Sequence, residues 1–197
     1  KLFNNGSSVK DLIIYLKSIY IAMKDVSHRG ISCTNTVSNI VNAFEHFSIV
    51  EIDVCFNKQN EIILCQKTDT QELLKSLLSL TTSMSFIVTI KAAGIKQSIM
   101  LAKALFCMVQ MYNQHIYKLC SCNEYCVVEL IELKQLLENT SQIQIGAISH
   151  GVPLGVFQHL PEIEFAILHY YILDEEILDK LKFGKKEIYI WIHHDKE

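Results

Sequence analysis

The chain has 197 residues, half of them hydrophobic, with 20% charged and a formal net charge of −3. That is enough apolar material for one buried core, and the balance of charge excludes the concentrated basic face that nucleic acid calls for. The apolar stretch "DLIIYLKSIYIAM" (11–23) falls short of the roughly 20 residues that span a bilayer, and Lys17 interrupts it.

The elements are taken in chain order. An amphipathic helix fits 9–23, read as capping the barrel bottom rather than lying on a membrane surface. A strand fits 25–31 and a helix 36–47. "SIVEIDVCF" (48–56) reads as a strand, and "EIILCQ" (61–66) as a short extension pairing with it. Leu73, Leu74, Leu77, Leu78 and Leu80 give 69–80 the spacing of a covering helix. "SFIVTIKA" (85–92) is a strand, and 96–119 reads as one long helix. "CVVELI" (126–131) reads as a strand followed by a helix over "ELKQLLENT". "IQIGAIS" (143–149) is a strand, with a short helix around 153–160. "EFAILHYYIL" (164–173) is a strand, "DEEILDKLKFG" (174–184) a helix, and "EIYIWIHH" (187–194) a strand.

This alternation argues for a parallel sheet with crossover helices. Seven β/α steps predict an α/β chain with a (β/α)8 TIM-barrel-like fold lacking its last helix and strand. The chain reads as a single domain, residues 1–24 forming the N-terminal helix and 25–197 the barrel. A doubly wound open sheet is the rival, weakened by the lack of a Gly-rich phosphate loop. Because the sequence begins with Lys1, it reads as a fragment or trimmed chain in which any signal peptide would be invisible.

The seven cysteines read as free thiols and favour a reducing, cytoplasmic compartment. Cys120, Cys122 and Cys126 cluster, but no second pair follows at zinc spacing, so unpaired thiols are the preferred reading.

Candidate site chemistry concentrates early in the chain. Side chains alternate along a strand, so Glu51 and Asp53 share a face opposite Ile52 and Val54. Two carboxylates there need a counter-charge, either Lys91 or a hard divalent ion such as Mg2+ or Ca2+. His28 and Arg29 fall at the C-terminal end of the first strand, where barrels build their chemistry. The histidine suits proton transfer near neutral pH, and the guanidinium suits a phosphate oxygen pair. Together these groups fit a phosphodiester substrate. His150, His169, His193 and His194 are further histidines, each read as solvated or structurally satisfied.

The run "HRG....NT....AF......VEIDVCFNKQNEIIL" resembles the glycerophosphodiester phosphodiesterase family, among the phosphatidylinositol-phospholipase-C-like barrels. His28, Arg29, Gly30, Asn35, Thr36, Glu51 and Asp53 carry the likeness, with "FIVTIKA" and "IYIWIHH" in weaker support. The resemblance implies a phosphoric diester hydrolase of lipid metabolism, acting on a glycerophosphodiester with a divalent cation. It implies His28 and Arg29 as catalytic residues, Arg29 and Lys91 as phosphate-binding, and Glu51 and Asp53 as metal ligands. Gln66-Lys67 stands where the family carries a second His and an Asp, and Thr89 where a third metal carboxylate belongs. Trp191-Ile192-His193-His194 replaces a Trp-Thr-x-Asn run. An amide cannot protonate a leaving alkoxide, and loss of general acid catalysis costs roughly 10²–10⁴-fold. The expectation is a barrel with a phosphate-facing half-site and weak or no turnover, a pseudoenzyme. An active phosphodiesterase releasing glycerol 3-phosphate, and an interaction module with a vestigial pocket, are the alternatives.

Overall fold

Runs rich in Ile and Val become strands here, and stripes of Leu, Ala and Phe become the helices that cover them. The computed structural model describes residues 26–28, 34–65, 71–149, 161–169 and 187–191. In chain order these hold β1 (Val26–His28), α1 (Val37–Ala43), β2 (Ile49–Phe56), β3 (Ile62–Leu64), α2 (Leu74–Leu78) and β4 (Ser85–Ile90). There follow α3 (Gly94–Met111), β5 (Ile116–Ser121), α4 (Glu124–Leu136), β6 (Ile143–Ser149), β7 (Phe165–His169) and β8 (Glu187–Trp191). The helix expected near 9–23 and those expected at 153–160 and 174–184 lie outside the described residues.

Among the described residues, seven parallel strands run in the order β1-β2-β4-β5-β6-β7-β8. β3 pairs antiparallel with the end of β2, as "EIILCQ" predicts. The sheet is curled. In a flat sheet β5 and β8, three strands apart, would be separated by about 14 Å. Instead Lys118 of β5 bonds Glu187 of β8 at 2.7 Å, and also bonds Gln144 of β6. The Lys118 ammonium sits 5.5 Å from the Phe165 ring centre and 5.7 Å from that of Tyr189, a cation–π arrangement on the concave face. The structure is therefore an α/β barrel-like half-cylinder, as the alternation predicts.

Strand alternation divides the apolar side chains into two cores. Val50, Ile52, Val54, Phe86, Val88, Ile90, Tyr117 and Leu119 face outward and pack with Ile40, Leu74, Leu77, Leu78, Leu101, Leu105 and Leu130 from the helices. Ile49, Ile87, Cys120, Ile148, Phe165 and Ile167 form the smaller interior cluster, with Val26 and Tyr189 against it.

One segment differs from the sequence reading. Residues 126–131 are helical, within α4, while the strand is β5 at 116–121, which takes over the end of the long helix expected at 96–119. The Asn123 side chain accepts from the amides of Tyr125 and Cys126, capping α4, and its own amide donates to Ser121 Oγ at 3.1 Å. Cys126, Val127, Leu130 and Ile131 are buried at helical spacing, so the β-branched pair belongs to a helix stripe. Leu137 is extended, which ends the helix expected to continue through "ENT".

Gly146 meets a packing demand: a Cβ there would lie 2.4–2.5 Å from three Phe165 ring carbons. Gly146→Ala should therefore destabilise by about 1–3 kcal/mol in urea unfolding, the range for overpacking a core. Combining it with Phe165→Leu should recover part of the loss; an unchanged midpoint for Gly146→Ala would contradict this packing.

Candidate functional site

The interior face of β2 carries Ile49 into the inner cluster, which puts Glu51 and Asp53 on that same concave face, as the alternation predicts. On β1, Val26 packs on the inner cluster, and His28 pairs in register with Glu51, so the imidazole belongs to this face too. Asp53 pairs with Thr89 of β4, which pairs in turn with Cys120 of β5. Lys91 prolongs the ladder, its amide donating to Val54 O at 2.9 Å. The topology thus brings His28, Glu51, Asp53, Thr89 and Lys91 together on three adjacent strands, with His28, Thr89 and Lys91 at or just past the C-terminal ends of theirs. Arg29, Gln66, Lys67, His150, His193 and His194 lie outside the described residues, as does the side chain of Trp191. His169 is buried on the concave face at the C-terminal end of β7, two residues beyond Ile167.

Each acid in this row has a partner from β4 or the residue just after it. Asp53 is 1% exposed, and its carboxylate meets Lys91 Nζ at 3.3 Å; the lysine side chain is 44% exposed. Thr89 donates its hydroxyl to Glu51 Oε1 at 2.8 Å, and the Cys120 sulfur lies 3.6 Å from that hydroxyl. Burial, then the nearby Glu51 charge, pushes the Cys120 thiol well above its ordinary range, so it stays protonated. Lys91 is thus an ion-pair partner of Asp53, and Glu51 accepts a hydroxyl.

The donor set does not make a resident metal site. Glu51 accepts the Thr89 hydroxyl, and Asp53 is already paired with an ammonium. Among the described residues no group of three or more His, Cys, Asp or Glu converges to hold a metal ion. The Cys120-x-Cys122-x3-Cys126 cluster diverges in the same way. Cys120 is in the inner core, Cys126 in the outer one, and Cys122 is exposed.

The sequence did not disclose how the site is braced. Asn35 adopts the left-handed conformation (φ 51°), which asparagine tolerates better than most residues. Its buried amide donates to Asp53 O at 2.8 Å and to Cys65 O at 2.7 Å, pinning β2 to the end of β3. Its neighbour Thr36 caps α1 by accepting from the Asn39 amide at 3.3 Å. Above Asp53, the Cys65 thiol hydrogen-bonds Cys55, which draws the Cys55 thiol below its ordinary range and pushes Cys65 up.

No protein-family model matches the sequence, and no curated protein matches it. Solved structures do match in fold. A Galdieria sulphuraria protein assigned as a glycerophosphodiester phosphodiesterase superposes with a TM-score of 0.70 at 16% identity, over 89% of this chain and 87% of its own. An Oleispira antarctica phosphodiesterase, solved in complex with its product sn-glycerol-3-phosphate, gives 0.67 at 15% identity, covering 89% and 86%. The glycerophosphodiester phosphodiesterase of Agrobacterium tumefaciens gives 0.62 at 12% identity, covering 88% and 89%. The chain is an α/β barrel-like protein with an acidic and basic cluster at the strand C-termini. Its fold is that of the glycerophosphodiester phosphodiesterases.

The Asn35 brace is directly testable. Asn35→Ala removes both amide bonds; Asp53 O keeps the Cys65 amide, but the Cys65 carbonyl loses the Asn35 donor, which should lower stability by about 1 kcal/mol or more. Urea unfolding measures this, and a change under about 0.5 kcal/mol, the usual range for a surface substitution, would contradict the brace.

Proposed function

We propose that this chain is a glycerophosphodiester phosphodiesterase-like barrel that binds a small phosphate ligand at its C-terminal mouth and turns over a phosphodiester weakly or not at all. The observation that carries this reading is the row His28, Glu51, Asp53, Thr89 and Lys91, with the Thr89 hydroxyl on Glu51 and the Lys91 ammonium on Asp53. Lys91 is partly exposed, so its ammonium neutralises Asp53 while presenting N–H donors to a phosphoryl oxygen. Arg29, next in sequence to His28, adds a planar pair of donors. His28 moves a proton to or from the ligand.

Two substitutions account for the weak chemistry. Gln66 has no titratable proton for a leaving alkoxide, at a cost of roughly 10²–10⁴-fold. Thr89 gives a neutral hydroxyl where a carboxylate would complete a divalent site, so Glu51 and Asp53 hold Mg2+ or Ca2+ weakly at most. Ligand binding by this route rests on side-chain cations.

The experiment is calorimetric titration with sn-glycerol 3-phosphate, beside hydrolysis assays on glycerophosphocholine with Mg2+ or Ca2+. Binding should be unchanged by EDTA within about twofold, and Lys91→Met should weaken it at least about tenfold, the effect of one charge-assisted hydrogen bond. The parent should show no turnover, and Gln66→His with Thr89→Glu should introduce it. No binding by the folded parent would sink the reading and favour an interaction module. Turnover by the parent would favour the active enzyme, for which buried His169 on the concave face is the substitute acid; His169→Gln would then abolish it.

A further inference from the structure

Cys55 and Cys65 stand out among the described cysteines because strand register sets them together. Cys55 is opposite Ile63, and the Cys65 amide donates to Asp53 O at 2.8 Å, so the ladder continues to an Asp53–Cys65 pair. Residues opposite each other share a face, so both sulfurs lie on the Asp53 side as diagonal neighbours. Both are partly accessible, and neither is in a disulfide. The Asn35 amide holds the Cys65 carbonyl, which fixes where its side chain begins.

We infer that Cys55 and Cys65 form a reversible dithiol–disulfide site at the barrel mouth, closed by a low-molecular-weight disulfide. One cysteine, as thiolate, attacks a sulfur of the small disulfide; its S–S bond breaks and one thiol leaves with the proton. The second cysteine then attacks the mixed disulfide and expels the second small thiol. The two cysteines lose two electrons and two protons, and the small disulfide gains them. Diagonal neighbours sit about 7–8 Å apart at Cα, and disulfides usually span about 4.4–6.8 Å, so closure pulls the end of β3 inward. A bond made under that strain is readily reduced, which makes the site reversible. Closure also moves the strand exit that leads into Gln66-Lys67. Its effect on phosphate binding rests on the function proposed above; the bond itself does not.

The test equilibrates the full chain in glutathione buffers of rising oxidised fraction, quenches with iodoacetamide and maps the peptides by mass. The expected product is a Cys55–Cys65 cross-link whose yield varies with the inverse square of reduced glutathione, while exposed Cys107 and Cys122 carry single glutathione adducts. In Cys65→Ser, Cys55 should stop at the glutathione adduct. The proposal is overturned if both cysteines stay alkylatable at the most oxidising ratio, carry separate adducts, or join another cysteine instead.

Discussion

Two carboxylates on one strand face, two residues apart and turned into a curled sheet, set the terms for everything around them. Their repulsion and desolvation would be prohibitive in an apolar interior without partners. The chain meets the demand with two different devices. Asp53, the more deeply buried of the two, takes a full positive charge from Lys91, and Glu51 takes the hydroxyl of Thr89. The Cys120 sulfur stands behind that hydroxyl as a protonated neighbour. Both partners come from β4 and the residue just after it, so each acid meets its partner only when β2 and β4 are in register.

Elsewhere on the concave face the same problem recurs with the opposite sign. Lys118 is nearly buried and would be costly alone, but Glu187, Gln144 and two aromatic faces surround its ammonium. The contact links β5 to β8 across the curl, so it also helps hold the sheet curved. The outer surface relies on ordinary packing of Leu and Ile against helices. The concave side combines an apolar inner cluster with these charged groups, while the other side packs against helices, an arrangement that lets a barrel present a site at its strand ends.

Much of this was legible in the sequence, and for identifiable reasons. The alternation in "SIVEIDVCF" fixes which residues share a face, and "TIK" places a lysine where it meets Asp53. The stretch 96–131 was misread because strong helix formers run from Ile95 into residues whose strand character depends on burial of Tyr117 and Leu119. The Cys126–Val128 run then carries β-branched residues inside a helix. Asn123 was the available signal, as an N-cap three residues before the buried stripe. Lys118 could not be recognised as an interior residue, because its partner Glu187 lies 69 positions along the chain. Asn35 was visible as part of a motif, yet its task of gripping two backbone carbonyls depends on the β2–β3 register.

The claim beneath this account is that Asp53 tolerates its burial because Lys91 pairs with it. A double-mutant cycle of Asp53→Asn and Lys91→Met, read by urea unfolding, addresses this without reference to any ligand. The pair should show a coupling of at least about 0.5 kcal/mol, since residues in contact fail to add while distant ones do not. Strictly additive effects would mean that the ammonium does not compensate the acid, and the arrangement of the mouth would have to be rebuilt on another partner.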